Sequence, residues 1–441
     1  MRHAIGILAL SLGCGGVLAQ SAPASRAPAP ARLVHAGHLL AVPGQGMRGA
    51  STLVVRGGRI EAVHEGLRDA ASLGLPGDTA IVDLSRQWVV PGLIDSHVHL
   101  RSDTGGVQGM VESLTRSDAA GAFAALDNAR KTLRAGFTTV RNLGDGGGVT
   151  LALRDAIAAG VVQGPRILDA GSAISATSGH MDYRLGLRDD LHDALHPENV
   201  CDGADGCRTA VRTQVGRGVD VIKFADTGGV NSRIGAGLGA QMFDDEVQAI
   251  VATAHMYGKK AAVHAHGDDG IAMAVKAGVD SVEHGTMLTR QTAREMAARG
   301  TYLMPSLSTV NGYRERLAAN PNAYTGEVLE KIQWRIGITG KGLQTALAEG
   351  VKIAYGTDAG VSKHGRNADE FELLVQYGMT PMQAIQAATV NAADLLGLSA
   401  EIGTLEPGKA ADLVAVDADP LADVRVFKQP RYVMKAGEDV R

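Results

Sequence analysis

Cysteine is scarce in this chain, with three among 441 residues, and aromatic side chains make up only 4% of it. The 45% hydrophobic content and 57 glycines then describe a globular protein with an aliphatic core and closely spaced elements, and exclude a fibrous or disordered one. Basic charge is not in excess either: 43 Lys and Arg stand unclustered against 47 Asp and Glu, a formal charge of −4. There is no electrostatic case for a polyanionic partner, so nucleic acid is not an expected ligand.

The N-terminal apolar run, residues 4–12, falls short of the roughly 20 residues a bilayer core demands. Following Arg2 and His3 and preceding Val17-Leu18-Ala19, it reads as an export signal over 1–19, with a mature chain from Gln20 that has no transmembrane segment. The expected location is the periplasm or the medium. A lipoprotein signal at Gly13-Cys14 ranks second, because Ser11 stands where an aliphatic residue is expected. Residues 20–31 read as a flexible tether. Removal of Cys14 with the signal leaves Cys201 and Cys207 as an isolated pair in an oxidising compartment, where a disulfide is expected. The alternative, a zinc site, is poor with two thiols and no adjacent partner.

From 32 to 90 the chain reads as short strands and hairpins, with 52–55 and 59–63 flanking the turn Gly57-Gly58. Strand-like segments return at 411–416 and 432–434, so residues 401–441 can pair with the first part in one sheet. Between them, over 91–400, short apolar strands alternate with alanine-rich helical stretches. Eight strands can be counted, at 92–99, 138–143, 166–170, 221–224, 261–266, 281–284, 302–306 and 352–358, with helices such as 244–257 and 268–277 between them. The expected fold is α/β: a (β/α)8 TIM barrel with a small composite β-sandwich domain formed by the two terminal segments. Barrel chemistry sits at the C-terminal ends of the strands.

Polar residues gather at those ends: His97 and His99, Lys223, His264 and His266, His284, and Asp358. Side chains alternate faces along a strand, so each His-x-His pair points into the barrel mouth and can clamp an ion. One such histidine alone would read as a core residue; repetition at several strand ends reads as a metal site. The ordered set Pro91-Gly92-Leu93-Ile94-Asp95-Ser96-His97-Val98-His99, Val221-Ile222-Lys223 before Thr227-Gly228-Gly229-Val230, His264-Ala265-His266-Gly267, Glu283-His284-Gly285, Gly356-Thr357-Asp358-Ala359-Gly360 and the run 403–412 resembles the amidohydrolase superfamily. Within it, the chain looks like the branch of imidazolonepropionase-like enzymes, Xaa-Pro and Xaa-Arg dipeptidases and ochratoxin-hydrolysing amidohydrolases.

That resemblance implies two divalent ions, with zinc first and manganese or cobalt as replacements. His97, His99 and Asp358 would hold one ion and His264 and His284 the other, with Lys223 bridging both as a carbamate made with carbon dioxide. A solvent molecule shared by the ions would be the nucleophile, Asp358 the proton carrier, and His266 either a partner of the carbonyl oxygen or an orienter of a ligand. The implied substrate is a peptide-type amide of a dipeptide or N-acyl amino acid, with ochratoxin A among the candidates. Alternatives are a cyclic amide, as in imidazolonepropionase, or a non-catalytic barrel binding module. The resemblance alone suggests a homo-oligomer. Substrate contacts are expected from His180, Val230, Arg233 and His364, with Arg233, Lys363 or Arg366 as the cation for a substrate carboxylate.

Overall fold

The computed structural model describes residues 29–104, 106–192, 197–232, 237–324 and 326–441. The export signal, most of the tether and Arg233 lie outside these residues. No helix among the described residues is long and apolar enough to cross a membrane.

The described residues form fourteen strands: β1 (Ala31–Leu39), β2 (Ser51–Arg56), β3 (Arg59–Glu65), β4 (Ala80–Pro91), β5 (Leu93–Val98), β6 (Phe137–Asn142), β7 (Arg166–Asp169), β8 (Val221–Ala225), β9 (Lys260–Ala265), β10 (Ser281–His284), β11 (Tyr302–Met304), β12 (Leu413–Val416), β13 (Tyr432–Lys435) and β14 (Glu438–Asp439). The two terminal segments build one seven-stranded mixed sheet in the order β14-β13-β12-β4-β1-β2-β3. Gly57 and Gly58, both at positive φ (57° and 78°), make the tight turn between β2 and β3. β12 joins the C-terminal part to the N-terminal part by antiparallel pairing with the end of β4, Leu413 opposite Pro91 and Val416 opposite Trp88.

Only Gly92 separates β4 from the first barrel strand, β5. A Cβ there would lie 2.2 Å from Thr138 Oγ1 and 2.9 Å from Asp412 Cβ, so no larger residue passes between the two domains without a shift. The barrel staves are parallel, in the runs β5-β6-β7 and β8-β9-β10-β11. Ile174, after β7, bridges to Phe224 on β8 and joins the runs on one side.

Closure on the other side differs from the expected regular strand at 352–358. Only Ile353 forms a ladder bridge, to Leu303. Beyond it, the Tyr355 amide bonds to Ala387 O and the Thr357 amide to the Asp95 carboxylate, which draw the backbone out of the ladder. Contact with β5 persists through Ser96 N to Tyr355 O (2.8 Å) and Asp358 N to His97 O (2.7 Å), so the cylinder closes through irregular backbone. β11 also stops short of 306, because Pro305 has no N–H to donate and Ser306 turns to φ 45°. Helices Asp244–Met256 and Asp268–Ala277 occupy the stretches expected of them.

One aliphatic core runs through the barrel interior and its helices, with a second beneath the terminal sheet. Inside the barrel an ion pair breaks that apolar filling. Arg141 on β6 donates to Glu283 on β10 at 2.9 Å, to Ser96 O at 2.7 Å and to Ser281 Oγ at 3.2 Å. Both partners of the pair are fully buried. Removing one strands the other charge in a dry interior, at a cost of about 3–5 kcal/mol. Arg141→Met should therefore lower the urea midpoint by that equivalent, and pairing it with Glu283→Leu should recover most of the loss. A single variant as stable as the parent would contradict this account.

Candidate metal centre

Each polar residue of the barrel mouth owes its position to strand alternation or to a turn at a strand end. His97 lies on β5 with His99 one residue beyond it, Lys223 on β8, His264 on β9 with His266 just past its end, and His284 closes β10. Asp358 stands on the irregular eighth segment. His284 and Asp358 are held at φ 75° and 57°, a region costing about 1–3 kcal/mol for such residues, as strained backbone at functional sites often does.

Two groups result. Ligand atoms of His97, His99 and Asp358 lie within 4.8 Å of one another, and so do those of His264, His266 and His284. The groups adjoin, with the His97 and His284 rings 5.3 Å apart. His266, expected to stand apart from the ligands, is a third imidazole of the second group.

Polar contacts on the far side of the rings aim them. His99 Nδ1 donates a hydrogen bond to Gly144 O at 2.8 Å, and His97 Nδ1 makes a 2.9 Å ionic contact with Glu283 Oε2 outside hydrogen-bond geometry. The Nε2 atoms of both rings then converge on Asp358 Oδ1, at 3.5 and 3.3 Å. Such anchoring of the second ring nitrogen is how ligating histidines are oriented. His266 Nδ1 is 2.8 Å from Thr286 Oγ1, a contact that orients the ring. The glycines of the motifs make room: a Cβ at Gly356 would lie 2.9 Å from His97 Cβ, and one at Gly360 2.7 Å from His99 Cβ. Gly229 accommodates the His180 ring, which a Cβ there would meet at 2.0 Å.

All these ligand candidates except His99 are buried. Burial holds His264, His266 and His284 well below the ordinary imidazole range, and burial together with Lys223 brings His97 to about 4. These rings are neutral at pH 7, the state that coordinates. Burial also lowers Lys223 to about 8 against the pull of Glu283 and Asp358. Asp358 stays below the usual carboxylate range, because His97 and His99 outweigh its burial. Lys223 Nζ and His264 Nε2 are buried without a hydrogen-bond partner. Unpaired polar atoms in a dry pocket are costly, and a metal ion with an anionic bridge is a partner set of the right chemistry. The imidazoles and carboxylate are groups that could hold metal ions.

The cavity over these groups is also lined by His180, Val230, Asn231, Tyr313, Tyr183 and Arg335. His180 stacks near His264, ring centres 4.1 Å apart, and Val230 packs with Tyr313 and Ile332. His364 is a correction. Its Nδ1 accepts from Thr132 Oγ1 (3.1 Å) and its Nε2 donates to His99 O (3.0 Å), so both ring nitrogens are spent behind the site and it does not line the cavity. Lys363 is exposed and Arg366 is paired with Glu315 and Asp369, so neither supplies the cation. The cation in the cavity is Arg335, which the sequence reading missed. A signal existed: the buried residues of helix Gly326–Gly337 are Val328, Lys331, Ile332 and Arg335, two cations on an apolar face at helical spacing. Cys201 and Cys207 are disulfide-bonded.

The model of the amidohydrolase family matches residues 88–440. Ochratoxinase of Aspergillus niger is 32% identical over 368 residues, covering 79% of this chain and 75% of that protein. A Xaa-Pro dipeptidase solved with methionine in its active site is 37% identical, with a TM-score of 0.87 over 92% of this chain and 98% of that one. A prolidase complexed with N-methylphosphonate-L-proline is 28% identical, with a TM-score of 0.82 over 93% and 99% of the two chains.

His364, bonded to the His99 carbonyl behind the site, offers a titration test. Burial holds it at about 4, whereas an unfolded imidazole titrates near 6.5. Between those values the unfolded chain takes up a proton that the folded one refuses, so the contribution of His364 to stability is lost as pH falls through that window. The stability difference between the parent and His364→Gln should shrink from pH 7 to pH 4 in urea titrations. A constant difference would show that the folded imidazole titrates normally.

Proposed function

This chain belongs to the amidohydrolase family and is a hydrolase of amide C–N bonds; within that family, we propose that it cleaves dipeptides or N-acyl amino acids whose free carboxylate is held by Arg335 beside a two-metal centre. The observation that carries this reading is Arg335 itself. It is 3% exposed and lines the same cavity as the candidate ligands. Its guanidinium reaches only the carbonyls of Pro305 and Ser306, at 3.4 and 3.5 Å, beyond good hydrogen-bond length. Among the described residues it has no ion-pair partner. A buried guanidinium without a counter-ion is costly, and a substrate carboxylate would complete it in a two-pronged contact. The methionine and the proline phosphonate held by the two similar structures are amino-acid derivatives, which supports the same class.

In this reading His97, His99 and Asp358 would hold one ion and His264 and His284 the other, and Lys223, as a carbamate, would serve both. Imidazole and carboxylate donors suit zinc. When bound, such ions would acidify a water molecule and polarise the amide carbonyl. Asp358, ionised between His97 and His99, accepts a proton and passes it to the leaving nitrogen. His266, anchored through Nδ1 to Thr286 Oγ1, would donate to the carbonyl oxygen in the tautomer that carries its proton on Nε2. Carbamate formation requires Lys223 as a neutral amine, which its lowered pKa makes far more abundant at pH 7. The Cys201–Cys207 disulfide supports a site of action outside the cytoplasm, in the periplasm or the medium.

A panel of dipeptides, N-acyl amino acids, ochratoxin A and the C-terminal amides of the same compounds tests this reading on zinc-supplied protein. Compounds with a free carboxylate should be cleaved and their amides spared. Arg335→Met should reduce kcat/KM about 10–100-fold, the value of a charge-assisted contact, mainly through KM. Equal turnover of acids and amides would remove the role given to Arg335. His97→Asn and Asp358→Asn should each abolish turnover with an unchanged circular dichroism spectrum, and metal analysis should find about two ions per parent chain and fewer in the His97 variant. Turnover at parental rate in either variant would overturn the metal assignment.

A further inference from the structure

The cavity at the metal centre measures about 230 Å³. Sites that enclose a whole small-molecule ligand run to roughly 300–1,000 Å³, so this one has room for the reacting amide and one flanking residue. Gly144 and Tyr183 belong to its wall and also to the wall of a second cavity of about 330 Å³. The second space lies against helix Gly106–Thr115 and the loop after β6. Tyr183, 50% exposed, and Gly144 are thus the boundary that the two spaces share.

Four ionic side chains line the second cavity: Arg101, Glu112, Arg116 and Asp145. Three are already matched. Arg116 pairs with Glu112 at 2.8 Å, and Arg101 pairs with Asp118 at 2.9 Å while also donating to Gly146 O at 2.8 Å. Asp145 forms no ion pair among the described residues; its Oδ2 accepts the Arg101 backbone amide at 3.3 Å. It directly follows Gly144, whose carbonyl orients His99, so the carboxylate sits one residue from the neck. Asp145 follows the second barrel stave and Arg335 precedes the eighth. The staves bearing Asp358, His97 and His99 therefore run between a wall with an unmatched cation and a wall with an unmatched anion.

We propose that the second cavity receives the amino-terminal residue of a dipeptide and that Asp145 pairs with its α-ammonium group, making the enzyme a dipeptidase in preference to an N-acyl-amino-acid hydrolase. This rests on the reading of Arg335 and the metal centre given above and selects between the two substrate classes left there. Asp145 acts in recognition: it pairs with the α-ammonium, which is two bonds from the carbonyl carbon, and takes no part in breaking the amide. An acetyl group on that nitrogen removes the charge and leaves the carboxylate facing an amide.

The test is steady-state kinetics of the zinc-supplied full-length enzyme on alanyl-leucine, N-acetyl-alanyl-leucine and N-acetyl-leucine. The parent should favour the free dipeptide over its acetylated form at least 10-fold in kcat/KM. Asp145→Asn should erase that preference by raising KM for the free dipeptide, with kcat and both acetylated substrates within about twofold of the parent. Asp145→Glu should keep part of the preference. Equal use of free and acetylated dipeptide by the parent, or an Asp145→Asn variant that loses all three substrates alike, overturns the proposal. Cleavage of N-acetyl-leucine without cleavage of the dipeptide defeats this inference alone, whereas inertness toward every carboxylate-bearing amide defeats the underlying function as well.

Discussion

Desolvation at the barrel mouth is the constraint on which the site depends. Imidazoles, an amine, a guanidinium and carboxylates are withdrawn from water within a few ångströms of one another, where each must be neutral or matched. The protein meets this in two ways. Below the mouth it matches charge with charge, Arg141 against Glu283, and burial, which alone would lift the Glu283 carboxyl, is outweighed by Arg141 and His97, which bring it to about 2. At the mouth it leaves the matching incomplete, with neutral imidazoles, an unpartnered lysine and a loosely bonded Arg335. The contrast separates groups that hold the barrel together from groups kept for something that arrives from outside.

Behind the ligands, a layer of backbone and small residues fixes their geometry. Asp95 accepts from Thr357 Oγ1 (2.6 Å), Thr357 N (3.1 Å), Asn367 Nδ2 (2.8 Å) and the His97 amide (3.2 Å). It thereby ties the first barrel strand to the segment bearing Asp358. Burial lifts its pKa to about 6, which those donors oppose, so the same carboxyl that deforms the eighth stave is itself costly to keep. His364 does similar work from the other side through the His99 carbonyl. The strain at Asp358 and His284 is tolerable because several such contacts over-determine the backbone around them.

Much of this was legible in the residues. Strand periodicity placed His97 with His99 and His264 with His266 at the barrel mouth, and the glycine pairs around Asp358 have a steric reason once His97 and His99 are seen against them. The eighth strand was misread as regular, because an apolar run carries no sign that a distant aspartate will take its amide hydrogen. His364 was misassigned for a related reason: a histidine in a polar loop looks the same whether its ring faces substrate or a backbone carbonyl. Arg335 was missed because attention to strand ends passes over helices, although two cations on an apolar helical stripe are themselves an anomaly. Arg233 lies outside the described residues.

The division between what was read and what was missed follows the barrel's construction. The candidate metal ligands sit on strands or at their ends, where rigid alternation leaves a period-two trace in the sequence. The charges proposed for recognition sit on the helices and loops above them, Arg335 in the segment after β11 and Asp145 in the loop after β6, where no short period marks a residue as facing inward. A family motif therefore transmits the reaction more faithfully than the substrate. Two proteins can share every ligand and still differ in which end of an amide they accept. In this chain the groups placed to make that choice are Arg335, a buried cation without an ion-pair partner among the described residues, and the half-buried Asp145, likewise without one, because a substrate of complementary charge would offset the cost of withdrawing them from water.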